Sequence, residues 1–173
     1  NLNHIQEHVG GVWTSLSLNV QRENIQTCYP TISLCAKALS RKNKEMFHVL
    51  KDFILDPDLK DFERVKELIS QTFTNLKNRL SSNAISYALK QSASSFSPWN
   101  HINNIWHGLP YYKFIENLYN NLDSEIDVVM EKFATLAKNI FHLNNPHLIL
   151  SCDEEDWLEL EKNKFYGTVR LTE

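Results

Sequence analysis

The chain has 173 residues, 42% hydrophobic and 23% charged, with 18 Lys+Arg against 21 Asp+Glu and a net charge of −3. That length holds one domain and leaves no room for a second. The balance of apolar and charged residues excludes a disordered chain, and no apolar run is long enough to span a bilayer.

The first residues, NLNHIQEHVGG, have neither the basic nor the apolar region of a signal peptide. The chain lacks a starting Met and opens inside a helical run, so we expect a piece of a longer protein. Gly10-Gly11 suits a helix end that turns into a strand. Val12, Leu16, Leu18 and Val20 then alternate, as do Ile32, Leu34, Ala36 and Ala38. This period of two predicts two strands with one buried face each, joined by the polar QRENIQTCYP. Met46, Leu50 and Phe53 share a face of the next predicted helix, which Asp56-Pro57-Asp58 ends. Phe62, Val65, Ile69, Phe73, Leu76 and Leu80 form the clearest amphipathic stripe. Ser81-Ser82-Asn83 breaks it, and Ala84, Ala88 and Ser92 give the following short helix a small-residue face.

SSFSPWNHINNIWHGLPYY reads as a loop-rich joint carrying Pro98, Gly108 and Pro110. A helix through Phe114, Leu118 and Leu122 follows. A long helix comes after Asp123, with Ile126, Val129, Phe133, Leu136 and Ile140 along one side, and Asn144 to Pro146 ends it. HLILSC reads as a third strand, Asp153 as the N-cap of EEDWLELEKN, and residues 165–173 as an exit linker. The order β-β-α-α-α-α-α-β-α predicts an α+β domain over residues 1–173, an antiparallel sheet with helices packed on one face. There is no internal repeat.

Basic residues are scattered, densest at Arg41, Lys42 and Lys44, so the chain lacks the one-sided field of a nucleic-acid groove. Cys28, Cys35 and Cys152 are an odd number with no C-x-x-C pair, which fits a reducing compartment: the cytoplasm, or an organelle matrix. Cys35 and Cys152 lie in strand-like runs and are expected in the core.

His4-Ile5-Gln6-Glu7-His8 matches H-x-x-E-H, a zinc-peptidase motif. Two histidines four apart share a helix face and can ligate Zn²⁺, with the Glu activating a bound water. A third ligand is needed downstream, yet no Asp or Glu occurs from Leu68 to Ile115, and Gly10-Gly11 ends the helix just after His8. The plainer reading is a pair of helix-surface histidines. Glu63 and Glu67 share a face and read as a solvated surface rather than an acid pair. His101 and His107 flank Trp106 and could line a groove. Trp99, Trp106, Tyr111, Tyr112 and Phe114 crowd the same joint, where core or inter-domain packing is favoured over a ligand pocket. There is no G-x-S-x-G elbow and no Gly-rich phosphate loop.

Three stretches carry a resemblance. EHVGGVWTSLSLNV is a helix–Gly-Gly–strand step. The run from Cys28 to Leu80 is a strand followed by two helices. The run from Ser82 to Leu118 is a small-residue helix, a Ser-Pro loop, a Gly and an aromatic-led helix. Together they resemble the presequence protease branch of the pitrilysin/insulinase zinc metallopeptidases over nearly the whole chain. The resemblance implies a pitrilysin-type fold of four related α+β domains whose halves close around unfolded peptides, with the catalytic zinc in the first domain. It places this chain at the third domain, the first of the C-terminal half, with the remaining domains of the same chain as partners. There the helix before Gly-Gly is not the zinc helix, so His4, Glu7 and His8 are not carried over. Catalytic, cofactor-binding and metal residues are all expected to lie elsewhere in the parent. The resemblance thus implies a non-catalytic wall of a chamber for unfolded peptides, inactive alone, with zinc in the parent enzyme and neither nucleic acid nor membrane as partner. The competing reading is a stand-alone interaction or structural domain without enzymatic activity.

Overall fold

The computed structural model describes residues 9–55, 61–140 and 147–167. It is α+β: mostly helical, with one two-stranded antiparallel sheet. The strands are β1 (Gly11–Val20) and β2 (Cys28–Lys37). The helices are α1 (Asn43–Leu55), α2 (Phe62–Ser82), α3 (Ala84–Ala93), α4 (Pro98–His107), α5 (Leu109–Asn120), α6 (Leu122–Ile140) and α7 (Glu154–Lys162). The chain divides into two compact units. One comprises Asn1–Ser15, Ile32–Pro57 and Leu136–Glu173, the other Leu16–Thr31 and Asp58–Thr135.

The hairpin closes through Gln21 N–H donating to Thr27 O at 3.0 Å, so β2 starts before Pro30, inside the segment read as loop. Alternation placed the strands correctly, but neither contains a fully buried residue, and Leu16 and Val20 stay exposed.

In the first unit, Phe47, Leu160 and Phe165 form the core, with Met46, Leu150 and Tyr166 against it. On α1 the buried apolar residues are Phe47 and Val49, on different sides of the helix, whereas Phe53, assigned to the buried stripe from its spacing, is exposed. MFHVL is apolar on several sides, so spacing alone did not choose among them. Asp153 caps α7 by accepting from Asp156 N–H at 2.8 Å. The Asp156 carboxylate in turn accepts from Ser40 Oγ at 2.6 Å and Asn43 Nδ2 at 3.2 Å, holding α7 to the start of α1.

HLILSC is not a third strand: residues 147–153 join no ladder among the described residues. A strand exists by pairing, and alternation supplies only the face, not the partner. Cys152 is accordingly exposed rather than packed in a core, while Cys35 is half-buried.

Of the segment read as exit linker, Phe165 is buried, and residues 168–173 lie outside the described ones. Phe165 is aimed inward by a left-handed turn, Lys164–Gly167, with φ of 49°, 49°, 51° and 72°. Such angles cost a side-chain-bearing residue about 1–2 kcal/mol. Phe165 and Tyr166 offset this by packing on Phe47, at ring separations of 6.5 and 6.0 Å. Lys164 is exposed. Lys164→Gly is therefore expected to raise stability by about 1 kcal/mol. A thermal melt checks this, and a lower melting temperature would contradict it.

In the second unit, Ile69, Leu122, Ile126, Val129 and Met130 form the core, with Val65 and Leu118 against it. This bears out the α2 stripe at Val65, Ile69 and Leu76, whereas Phe62 is exposed. The α6 stripe is buried only in its first half: Phe133, Leu136 and Ile140 are exposed. Asp61 caps α2 by accepting from Arg64 N–H at 2.9 Å. On α3, Tyr87 is buried and Ala84, Ala88 and Ser92 are exposed, so the small-residue face is not its packing face. The motif His4-Glu7-His8 and the stops at Asp56-Pro57-Asp58 and Asn144 to Pro146 lie outside the described residues, apart from the helix ends they flank.

Candidate functional site

The stretch read as a loop-rich joint is helical: α4 and the start of α5 occupy it. Asn and His are weak helix formers, which hid the helix, but its start was written in Ser97-Pro98. Ser97 Oγ accepts from Asn100 N–H at 3.2 Å, and Pro98 fills the first turn. Trp99 Nε1 donates to Leu18 O at 3.1 Å, tying α4 to β1.

The α4–α5 elbow turns on Gly108, whose N–H donates to Asn104 O at 2.8 Å. Asn104 is buried, and its Nδ2 donates to Gln91 Oε1 at 3.1 Å. Its Oδ1 lies where a Cβ on residue 108 would go and has no hydrogen-bond partner among the described residues.

This elbow lines up Ile105, Trp106, His107, Pro110, Tyr111 and Phe114 with Leu16 of β1 around a groove of about 440 Å³. Leu16 and Phe114 are 61% and 62% exposed, an unusual openness for large apolar side chains side by side. On α5 the buried residue is Ile115; Phe114, assigned to the packed stripe, faces this groove instead. Of the aromatics singled out in the sequence, Trp106, Tyr111 and Phe114 meet here. Trp99 and Tyr112 do not line it: Tyr112 sits 6.1 Å from the Phe73 ring and donates to Glu116 at 2.9 Å. The hydrogen bond to Glu116, with burial, pushes the Tyr112 phenol up from its ordinary value. His107 lines the groove, whereas the exposed His101 does not. Ile105 carried no signal in the sequence, and Leu16 was read only as part of a strand's buried face; strand register and helix packing bring them to the groove.

The groove's polar rim is cationic. Lys90 Nζ donates to His107 O at 3.2 Å and lies 5.6 Å from the Tyr87 ring centre. Partial burial holds the His107 imidazole below its ordinary 6.5, helped by the positive charges of Lys90 and Arg79. An unfolded chain takes up this proton near pH 6.5, before the folded one does. The stability of the fold is therefore complete above 6.5 and falls as pH drops through 6.5 toward the lowered folded value. Urea midpoints measured at about pH 8 and about pH 5.5 should separate less in His107→Gln than in the native chain; equal separations would remove His107 as a source.

The acid pair is absent as such: Glu67 is paired with Arg64 and accepts from Gln71 Nε2 at 2.9 Å, on an exposed helix face shared with Glu63. Among the described residues no group of three or more His, Cys, Asp or Glu is placed to hold a metal ion. No described helix is long and apolar enough to cross a membrane.

The described residues thus form an α+β module with an open apolar groove. The family comparison makes this specific: residues 1–118 match the model of the peptidase M-16C associated family, and the chain belongs to that family, in its presequence-protease type. It is 24% identical over 135 residues to the mitochondrial presequence protease of Yarrowia lipolytica, covering 78% of this chain and 14% of that protein. It is 22% identical over 167 residues to the mitochondrial presequence protease of Danio rerio, covering 95% and 16%. An uncharacterized protein of Borreliella burgdorferi is 20% identical over 137 residues, covering 79% and 14%. The chain thus spans about a seventh of the length of these curated relatives.

Proposed function

We propose that this chain is a non-catalytic domain of a zinc-dependent endopeptidase that degrades short unfolded peptides. In this reading it is the first domain of the C-terminal half of a pitrilysin-type protein and forms part of the wall of the substrate chamber. The observation that carries the proposal is likeness to a presequence protease over 95% of this chain but only 16% of that relative. The groove at the α4–α5 elbow supports it, since open apolar side chains give a domain surface to share with neighbouring domains or with peptide. Zinc belongs to other parts of the parent, and no step of hydrolysis is assigned to the described residues. The location printed for the relatives, mitochondrial, favours an organelle matrix as the reducing compartment.

The chain alone is expected to leave an unstructured fluorogenic peptide uncleaved with zinc present, while the intact parent cleaves it and loses that activity to a chelator. Chelator-sensitive turnover by the chain alone, abolished in Glu7→Gln, would move the active site to His4–His8 and end this reading.

A further inference from the structure

Between Glu67 and Glu116 the chain carries Lys77, Arg79, Lys90 and Lys113 and no carboxylate, although acidic residues outnumber basic ones overall, 21 to 18. The second half of α2, all of α3 and α4 and the first turns of α5 come from this acid-free stretch. It encloses the groove: six of the seven lining residues belong to it, Leu16 being the exception. Among the described residues none of the four cations is in an ion pair. Lys90 is held at the groove's rim by the His107 carbonyl, with its charge unneutralised. The nearest carboxylate along α5, Glu116, is engaged by the Tyr112 hydroxyl.

An apolar trough of about 440 Å³ falls in the size range of small-ligand and side-chain pockets. With Leu16, Ile105 and Phe114 exposed along it, it favours an aromatic or leucine side chain. The rim of one sign selects the charge beside that side chain, because a basic segment would meet like charges while an acidic one meets unpaired cations. We propose that this groove docks a linear acidic peptide, with one aromatic or leucine side chain between Trp106, Tyr111 and Phe114 and carboxylates toward Lys90 and Arg79. The inference does not depend on the peptidase reading, because its test reads binding rather than turnover.

The test is fluorescence anisotropy on the full chain with two short labelled peptides, one alternating Glu with Leu and Phe, the other with each Glu replaced by Lys. At low ionic strength the acidic peptide is expected to bind at least about tenfold tighter, with the advantage shrinking as salt is added. Lys90→Glu and Phe114→Ser, both at solvent-accessible positions, should each weaken it about tenfold. Lys162→Glu, in the other unit, should leave it unchanged. Circular dichroism melts establish that the variants are folded. Equal affinity for both peptides, indifference to Lys90→Glu, or no binding up to about millimolar peptide would overturn the proposal. Tighter binding of an oligothymidine than of the acidic peptide would overturn it too, assigning the cations and aromatics to single-stranded nucleic acid.

Discussion

Phe47→Ala is expected to cost about 3–5 kcal/mol, the range for removing a fully buried aromatic. Phe47 is 1% exposed, and it is the residue on which the first unit's core converges. Leu160 reaches it from α7, and Phe165 and Tyr166 come from the left-handed turn. Alanine would leave a cavity bounded by Met46, Leu150, Leu160, Phe165 and Tyr166, none of which can move in without giving up its own contacts. The strained turn suffers most, because the packing that offsets its backbone angles is gone. Urea unfolding followed by tryptophan emission is a suitable measurement, since Trp157 lies 5.7 Å from the Phe165 ring. Phe53→Ala, on the same helix but exposed, should cost under about 1 kcal/mol. Similar midpoints for the two variants would refute the assignment of Phe47 as the core.

Gly108→Ala is expected to cost about 1–3 kcal/mol. The reason is space, since the φ of residue 108 is −101° and any residue can adopt it. A Cβ there would overlap both the carbonyl oxygen and the Oδ1 of Asn104. The carbonyl accepts the bond that ends α4, and the buried Asn104 side chain is held by Gln91, so neither yields cheaply. The elbow would have to open, displacing Trp106 and Tyr111 from the groove. Gly10→Ala is the contrast: its nearest neighbour, Lys37 O, is 3.4 Å away, a contact that a small shift relieves. Denaturation midpoints and Trp emission of the two variants check this. A Gly108→Ala chain as stable as Gly10→Ala would show that the elbow has slack.

How far local sequence reaches is clear from particular elements. The α2 stripe from Phe62 to Leu80 was legible because one face is apolar and the other polar, and the burial of Ile69 and Leu76 follows. The cap at Asp153 was legible because a cap acts within one turn. On α5, PYYKFIENLY is apolar on several sides; periodicity selected Phe114, and packing selected Ile115. One step along a helix turns a side chain by about 100°, so that single-residue difference moved Phe114 from a core to a groove. The aromatic crowding around Trp106 was visible in the sequence, but the groove it lines was not, because Leu16 arrives from a strand about ninety residues earlier.

The sequence by itself determined where most helices and both strands run, how α7 is capped, that a stretch from Leu68 to Ile115 carries no acid, and the family that the chain resembles. These are properties of neighbouring residues: propensity, periodicity, capping and composition all act within a turn or two of the chain. Only the tertiary structure decided that HLILSC lacks a ladder among the described residues, that Phe47 rather than Phe53 is buried, and that Phe165 closes a core instead of leaving it. Pairing and burial depend on groups far away in sequence, and a segment with more than one apolar face holds no record of which face its partner will cover.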